Sequence, residues 1–440
     1  MADSEARPMD KALEAWAAGD FAGALRGVLP LLEAQPDGAM ALLSTAYLAA
    51  KLDGAANFAD GLRAAAERAV DLGNLPLAIA GGALARELGL DANAIYDAAA
   101  TAYGLGSSRI KQKAPPALPT PLPDAKPLPS KLSEKELLER AKKAVKGATE
   151  QLLTHPGAGG PLPAAPLFSS LDRDALRAFV EIFEIKLYAT GAKVVEEGAL
   201  GSEAFVVARG ELDVSRQALG ASSALHLARL GGGSLVGEMA LLSRAPRAAT
   251  VSAACPSLLL VASKAALDRA VQKHRELGKE FAEHCRRRML DNLVRTSPIL
   301  RSVNPSERAD LVQRFAIRAF EPGDRLVTQG THAEGLYLIA SGEVAVVHAE
   351  PNGDSTVVAR LGPGEVLGEV ALVFRRPTIA EVVAHHPTIT LFLPRERFLE
   401  AVRAHPQVFV DLYELAARRD EETSSVAGLE ATDLDDSILV

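Results

Sequence analysis

A short stretch between two predicted strands combines a glycine, a carboxylate and an arginine in an order that could bind an anion. Gly237 permits a tight turn into a short helix starting at Glu238, and the first N–H groups of a helix have no partners within it. Such a helix end attracts anions, and Arg247, just after the turn at Pro246, can fold its guanidinium over the same place. A carboxylate beside an anion is unfavourable unless the ligand also has a hydroxyl group that donates a hydrogen bond to it. Glu238 therefore predicts an anionic ligand with a hydroxyl group, such as that of a ribose.

The run from Gly237 to Val251 resembles, without a gap, the phosphate-binding cassette of cyclic nucleotide-binding domains, as in the regulatory subunit of cyclic-AMP-dependent protein kinase. The resemblance implies that Glu238 holds the ribose 2′-hydroxyl and that Arg247 holds the cyclic phosphate. The full set of ligand-binding residues that it implies is Gly237, Glu238, Met239, Ala240, Leu241, Arg247, Ala248, Ala249 and Thr250. Relatives that prefer cyclic GMP often have a threonine after the arginine, so Ala248 favours cyclic AMP. The alternative, an exposed ion pair only, would leave the glycine, the short helix and the proline unexplained.

The region that contains this cassette is duplicated. Gly191, Gly198 and Gly210 each recur as a glycine 132 positions later, and Gly237 recurs as Gly368 after 131 positions. Glycines at matching points imply the same turns, and therefore the same fold, twice. Each copy is predicted to begin with a short helix (172–183 and 305–315), to continue as short alternating strands, and to end in a charged amphipathic helix (264–295 and 395–419). This order predicts an antiparallel β-roll, similar to a jelly roll.

The second copy departs from the cassette pattern where the phosphate would bind. Gly368, Glu369 and Ala371 are retained, but Thr378 stands at the position of the arginine and Glu381 at the position of Thr250. Glu381 is expected to bring a negative charge close to the phosphate, with no guanidinium to offset it. We therefore expect a degenerate second site, and a structural or partner-binding role for the second roll.

The first hundred residues are rich in alanine and leucine at helical spacing, with a weak internal echo. The turn at Gly19-Asp20 recurs as Gly73-Asn74, 54 positions later. A turn followed by small residues that allow close helix packing resembles tetratricopeptide-like hairpins, although the usual repeat is about 34 residues. A helical array that binds a protein and a plain structural helical domain both remain open.

A proline-rich linker follows, which is predicted to be a semi-rigid spacer. The alternative is that it is a ligand of a proline-binding domain. Its prolines are Pro115, Pro116, Pro119, Pro121, Pro123, Pro127 and Pro129. Ser133 and Glu136 then form a capping box that opens an amphipathic helix, expected to pack on the domain that follows it. The predicted domains are a helical repeat-like domain (1–106), the Pro-rich linker (107–132), the amphipathic helix (133–155), an intact cyclic nucleotide-binding domain (165–295), a degenerate one (296–419) and an acidic disordered tail (420–440).

The fold class predicted from these patterns is α+β, with an all-α, tetratricopeptide-like N-terminal domain and two antiparallel β-rolls with flanking helices. The net charge of −8 argues against a nucleic-acid partner, and we expect no membrane partner because no apolar run approaches a bilayer span. No signal peptide is visible, so a cytoplasmic location is expected. Cys255 and Cys285 cannot build a disulfide framework or a cysteine metal site, and neither a metal nor a cofactor is expected.

The functional hypothesis is a regulator that binds cyclic AMP in the first roll and controls a protein partner, in the manner of a kinase regulatory subunit. The partner is expected to bind the helical N-terminal domain, the second roll or both. The linker contains no Arg-Arg-x-Ser/Ala inhibitor sequence between 105 and 166, which puts direct pseudosubstrate inhibition in doubt. No paired carboxylates with a histidine or metal site accompany the cassette, so catalysis is not expected. The alternative is an adaptor whose rolls bind little or no nucleotide.

Overall fold

The computed structural model describes residues 8–111, 125–154, 160–217, 224–242, 246–297, 303–304, 311, 314–349 and 355–436. The chain forms two compact units. The first unit comprises Met1–Glu197, Ser202–Leu241 and Ala249–His284. The second comprises Gly198–Gly201, Leu242–Ala248 and Cys285–Val440. Among the helices of the described residues, none combines the length and the apolar character that crossing a bilayer requires.

The N-terminal part of the first unit is helical, as the alanine- and leucine-rich spacing predicts. Its helices are α1 (Pro8–Ala17), α2 (Phe21–Ala34), α3 (Ala39–Asp53), α4 (Ala59–Asp71), α5 (Leu75–Glu87), α6 (Asn93–Tyr103) and, after the linker, α7 (Glu134–Thr154). Consecutive helices from α1 to α6 pack against one another. Asp20 and Asn74, the two polar residues of the repeated turn, accept hydrogen bonds from Gly23 N and Leu77 N and so cap α2 and α5. The repeated turn is thus a repeated helix start.

The amphipathic helix α7 begins as the capping box predicts but packs elsewhere. Ser133 Oγ accepts from Glu136 N at 3.3 Å, and Glu136 Oε2 accepts from Ser133 N at 3.1 Å. The expectation that this helix packs on the following domain is wrong, because α7 lies against α2, α3 and α4. Gly61 of α4 leaves the space that Val145 fills, since a Cβ at position 61 would overlap Val145 Cγ1. The apolar stripe of α7 therefore completes the helical region that precedes it.

The linker region meets the rest of the first unit on both sides of its prolines. Strand β1 (Ile110–Lys111) pairs in parallel with β2 (Leu162–Pro163), and Leu128 N donates to Arg26 O at 3.0 Å. These contacts show that the predicted linker, 107–132, is ordered at its two ends. The segment 112–124, which holds most of the prolines, lies outside the described residues.

The first roll consists of two four-stranded sheets and three flanking helices. Its sheets have the strand orders β3-β10-β5-β8 and β4-β9-β6-β7, with antiparallel pairing throughout. The strands are β3 (Glu184–Tyr188), β4 (Lys193–Val195), β5 (Glu203–Arg209), β6 (Leu212–Gln217), β7 (Ala224–Leu230), β8 (Leu235–Val236), β9 (Thr250–Ala253) and β10 (Ser257–Ser263). The helices are α8 (Arg173–Val180), α9 (Met239–Leu242) and α10 (Lys264–Lys273). Alternate side chains of the strands, among them Phe205, Val207 and Leu259, build the core between the sheets. The β-roll prediction is confirmed.

The helical region packs on the first roll within one unit. Helix α5 contacts β3, β5 and β10, and α6 contacts α8. Arg86 of α5 donates to the carbonyl oxygens of Glu181 and Phe183, and Arg209 Nη2 lies 2.8 Å from Asp10 Oδ1. Guanidinium groups therefore connect the helical region to the first roll at several points.

The second roll repeats this architecture, with sheet orders β11-β18-β13-β16 and β12-β17-β14-β15. Its strands are β11 (Ala316–Phe320), β12 (Arg325–Val327), β13 (Gly335–Ser341), β14 (Val344–Ala349), β15 (Ser355–Leu361), β16 (Val366–Leu367), β17 (Glu381–Ala384) and β18 (Thr388–Pro394). Residues 305–310 of the predicted first helix lie outside the described residues. The duplication in the sequence is thus a duplication of strand order.

The C-terminal helix of each copy is broken into two, against the prediction of one. In the first copy, helix α10 ends before His274, and α11 (Arg275–Thr296) begins after it. The second copy contains the short cassette helix α12 (Glu369–Phe374) and the two C-terminal helices α13 (Arg395–Ala404) and α14 (Pro406–Asp436). His405, at φ −129° and ψ 76°, separates α13 from α14, because the residue before a proline is disfavoured in the helical region. His274 takes nearly the same backbone angles without a following proline.

Helix α14 continues beyond Asp420 to Asp436, into the segment 420–440 that was predicted to be disordered. The segment contains Glu, Ala and Leu, which are strong helix formers, and it extends a helix whose earlier turns pack in the fold. Thr423 Oγ1 donates to Arg419 O, one turn back, and Arg376 forms an ion pair with Asp420. Residues 437–440 lie outside the described residues.

Candidate functional site

The carboxylate half of the first cassette lies in the first unit. Gly237, at φ +77°, directly follows strand β8, and the left-handed conformation that it adopts is one that other residues take only with strain. Glu238 comes next and is 5% exposed. Leu241 N donates to Glu238 O at 3.0 Å, which closes the first turn of α9. The turn predicted from Gly237 is confirmed, and it places a carboxylate in the interior of the roll.

The guanidinium half of the first cassette lies in the second unit, with the short segment Gly198–Gly201. Arg247 N donates to Ala199 O, and Arg247 O accepts from Gly198 N, both at 2.9 Å. Gly201 leaves room for the guanidinium, because a Cβ there would overlap the Nε, Nη2 and Cζ atoms of Arg247. Two hydrogen bonds thus hold the backbone of Arg247, and Gly201, which has no side chain, leaves space for its guanidinium. Spacing within the cassette gave no signal for this support, since 198–201 lies 46 to 49 residues upstream of Arg247.

The remaining predicted residues of the first cassette are divided between the two units, with Thr250 in the first and Ala248 in the second. Thr250 Oγ1 accepts from Glu197 N at 3.1 Å at the start of β9, which fixes its side chain within the first unit. Ala248 is exposed and Ala249 is partly buried. Met239 and Ala240 lie in the short helix α9. Residues 243–245 lie outside the described residues.

The second copy reproduces the backbone frame of the arginine with a threonine in it. Thr378 N donates to Thr331 O, and Thr378 O accepts from Gly330 N, both at 2.8 Å. These are the bonds that Arg247 makes with Ala199 and Gly198, so Thr378 occupies the structurally equivalent position. Its hydroxyl donates toward the carbonyl oxygens of Thr328, at 2.7 Å, and of Thr331, at 3.1 Å.

The carboxylate of the second copy is bound by an arginine of the C-terminal helix. Glu369 is 2% exposed, and its Oε1 accepts from Arg419 Nη1 at 2.7 Å. Arg419 Nη1 also donates to Val366 O at 2.5 Å. The second carboxylate oxygen of Glu369, Oε2, is buried and has no hydrogen-bond partner among the described residues. The Arg419 contact was missed by the sequence analysis, because the two residues are 50 positions apart and helix α14 carries many charges.

The other charged residues of the second copy are engaged away from the arginine position. Glu381 Oε2 pairs with Arg325 Nε at 3.3 Å, and Glu381 is absent from the residues that line the cavity of this roll. The expected repulsion by Glu381 is therefore weakened by a cation at its side. Arg376 pairs with Asp420 and lies over the ring of Phe374. Neither group supplies a cation where Thr378 stands.

A cavity of about 730 Å³ lies between the cassette of the second roll and helix α14. The cassette side includes Gly368, Glu369, Ala371 and Thr378, and the helix side includes Arg419. The residues predicted for the degenerate second site therefore meet at one cavity, with the exception of Glu381. A cavity of this size is in the range of small-molecule sites.

Two segments of the chain, 185–274 and 317–405, match the family model of the cyclic nucleotide-binding domain. A regulatory subunit of cAMP-dependent protein kinase from Yarrowia lipolytica is 34% identical over 218 residues, which cover 50% of this chain and 54% of that one. Its counterpart from Blastocladiella emersonii is 31% identical over 218 residues, covering 50% of this chain and 52% of that one. The chain thus spans about half the length of the curated relatives it matches.

Among solved structures, the regulatory domain of Toxoplasma gondii PKA with cAMP is 26% identical and covers 57% of this chain and 92% of that one, with a TM-score of 0.28. Both family segments fall on the two rolls, and each contains one cassette. The chain thus contains two segments that match the cyclic nucleotide-binding domain, and over about half of its length it is similar to regulatory subunits of cAMP-dependent protein kinase.

Proposed function

We propose that the first roll binds cyclic AMP and that the chain uses this binding to regulate a protein partner. The observation that carries the proposal is the complete cassette, with Glu238 and Arg247 both present, inside the family segment 185–274. Glu238 accepts a hydrogen bond from the ribose 2′-hydroxyl, and the guanidinium of Arg247 binds the cyclic phosphate. Backbone groups and small side chains from Gly237 to Leu241 and from Ala248 to Thr250 complete the site.

The choice of cyclic AMP over cyclic GMP rests on Ala248. A threonine at this position could offer a hydroxyl to a guanine, and the methyl group of alanine cannot. Ala248 is exposed, so its side chain is available to a ligand.

The regulated partner is proposed to be a protein, and a protein kinase fits the names of the relatives. Ligand binding can control such a partner only through a difference in ligand affinity between two states of the chain, typically 1–3 kcal/mol. Helices α1 to α6 pack consecutively, and we propose that a surface of this helical region binds the partner. The adaptor alternative is disfavoured, because an intact cassette has no role in it.

The test of this proposal is calorimetric titration of cyclic AMP and cyclic GMP into the full chain and into Arg247→Ala. We expect saturable binding of cyclic AMP, weaker binding of cyclic GMP, and a loss of about 30-fold or more in the variant, since truncating one partner of a buried charge contact costs roughly 2–5 kcal/mol. The control is Arg229→Ala, which removes an equal charge from the half-exposed Arg229 on β7. Equal affinities in Arg247→Ala and the parent chain would contradict the proposal.

A further inference from the structure

We propose that Glu343, His385 and His386 of the second roll bind a divalent transition metal ion such as Zn²⁺. The three side chains offer one ligand atom each, a carboxylate oxygen and two imidazole nitrogens, and these atoms all lie within 4.8 Å of one another. In the part of the chain that the structure describes, no other group of three histidine, cysteine or carboxylate side chains is arranged in this way. The three residues belong to neither cassette, so the inference does not depend on the function proposed for the first roll.

The backbone of two neighbouring turns holds the three residues together. Glu343 lies between β13 and β14, and the two histidines directly follow β17. The N–H groups of both histidines donate to the carbonyl oxygen of Glu343, His385 at 2.9 Å and His386 at 3.2 Å. Gly342 permits this close approach, because a Cβ there would overlap the carbonyl oxygen of Pro387. The ligand residues are therefore brought together by the fold, and their separation along the chain explains why the sequence pattern did not indicate a metal site.

The first roll has the same backbone frame without the histidines. The duplication, at an offset of 132 for the carboxylate and 131 for the histidines, places Glu211, Ala254 and Cys255 at the positions of the three ligands. Ala254 N donates to Glu211 O at 2.8 Å, which is the bond that His385 makes in the second roll. An alanine and a cysteine thus satisfy this turn, so the fold itself does not require the imidazoles of His385 and His386.

The arginine beside the carboxylate is compatible with a metal ion. Arg360 Nη1 donates to Glu343 Oε1 at 2.7 Å, and the other carboxylate oxygen, Oε2, is the proposed ligand. Hydrogen bonds to a ligating carboxylate are usual in metal sites, where they orient it. The side chains of Arg360 and Glu343 are 41% and 36% exposed, so water screens the repulsion between the guanidinium and the metal ion. In the first roll, Arg229 lies 3.7 Å from the carboxylate of Glu211, so the arginine is part of the frame that both copies share.

The set of donor atoms selects the class of metal. Two imidazoles and a carboxylate, with water in the fourth position, form a well-known set of zinc ligands, whereas Mg²⁺ and Ca²⁺ prefer oxygen atoms only. The rings of His385 and His386 lie side by side, with their centroids 4.6 Å apart. Ligand atoms about 2.1 Å from a tetrahedral Zn²⁺ are about 3.4 Å from one another. His385 is exposed and His386 is only partly buried, so rotation of their side chains can close the remaining gap.

The experiment is calorimetric titration of ZnCl₂ into the untagged full chain and into the double variant His385→Ala, His386→Ala, with MgCl₂ as the comparison. We expect one Zn²⁺ per parent chain, no binding of Mg²⁺, and about 100-fold or greater loss of Zn²⁺ affinity in the double variant, since even the loss of an outer-shell partner costs 10–100-fold. His332 is an exposed histidine of the same unit, so His332→Ala is the matched control and is expected to leave the affinity unchanged.

A second variant and a second measurement test the carboxylate and the stabilising effect of the metal. Glu343→Gln keeps the backbone carbonyl that both histidines use, and it is expected to weaken Zn²⁺ binding about 10-fold or more. Zn²⁺ should raise the midpoint of thermal unfolding of the parent chain but not that of the double histidine variant, because a ligand that binds the folded state stabilises it. The proposal is overturned if Zn²⁺ does not bind the parent chain at millimolar concentration, if either variant binds it as tightly as the parent, or if His332→Ala weakens binding as much as the double variant.

Discussion

Arg419 Nη1 lies 2.7 Å from Glu369 Oε1, so that the C-terminal helix provides the charge partner for the carboxylate of the second cassette. Glu369 is 2% exposed, and the side chain of Arg419 is 18% exposed. The guanidinium of Arg419 also donates to Val366 O. These two contacts hold helix α14 against the roll. The second roll thus has an internal cation beside the buried carboxylate of its cassette.

Arg419→Ala is predicted to destabilise the second roll by roughly 1.5–3 kcal/mol, the usual worth of hydrogen bonds to a charged group. The loss is measurable as a lower midpoint of urea unfolding, followed by a probe in the second unit. Its neighbour Arg418 is exposed, so Arg418→Ala is the matched control and is expected to change stability by less than about 0.5 kcal/mol. Equal effects of the two variants would show that the contact with Glu369 contributes nothing.

Gly61→Ala is predicted to destabilise the helical region, although alanine is the better helix former. A Cβ at position 61 would overlap Val145 Cγ1 of α7, and such overpacking costs typically 1–3 kcal/mol against about 1 kcal/mol gained in helix propensity. Thermal unfolding should show a lower midpoint in Gly61→Ala and recovery in the double variant Gly61→Ala, Val145→Ala.

The control for that pair is Gly147→Ala, also in a helix. No atom lies within 4 Å of a Cβ at position 147, so this variant is predicted to be more stable than the parent by about 0.5–1 kcal/mol. If Gly61→Ala were stabilised as much as Gly147→Ala, α7 would not be packed on α4 in solution.

The capping box at the start of α7 predicts a pH effect. Hydrogen bonds from the hydroxyl and the N–H of Ser133 hold the pKa of Glu136 below its usual value. A carboxyl whose pKa is lowered in the folded state contributes stability that is present above its unfolded pKa and lost as the pH falls through the folded pKa. NMR titration of Glu136 should show the lowered pKa, and Ser133→Ala, which removes the hydroxyl but keeps the backbone N–H, should raise it part of the way to the ordinary range. An unchanged pKa in that variant would rule out the capping box as its cause.

Much of the fold could be predicted because its signals are local. Gly237 and Gly368 both adopt the left-handed conformation expected of them, and the box of Ser133 and Glu136 opens α7. The duplicated glycine spacing led correctly to two rolls with the same strand order. Local backbone requirements such as these can be recognised from single residues and short spacings.

The missed features depend on contacts between distant segments. The position of Val145 over Gly61 fixes where α7 packs, and an apolar stripe alone does not say which of two neighbours it will meet. The contact of Arg419 with Glu369 could not be predicted, because helix α14 carries several charged residues and the sequence does not show which of them meets the carboxylate. The helix beyond Asp420 was missed because acidic composition was weighed above the helix propensity of Glu, Ala and Leu.

The most direct test of the central claim is the number of cyclic AMP molecules bound per chain at saturation, measured by equilibrium dialysis of the parent chain. One complete cassette and one with Thr378 in the arginine position predict a value of one, which should fall to zero in Arg247→Ala and rise to two in Thr378→Arg. Two molecules bound to the parent chain would show that Thr378 does not disable the second roll. None bound would show that Glu238 and Arg247 do not form a nucleotide site.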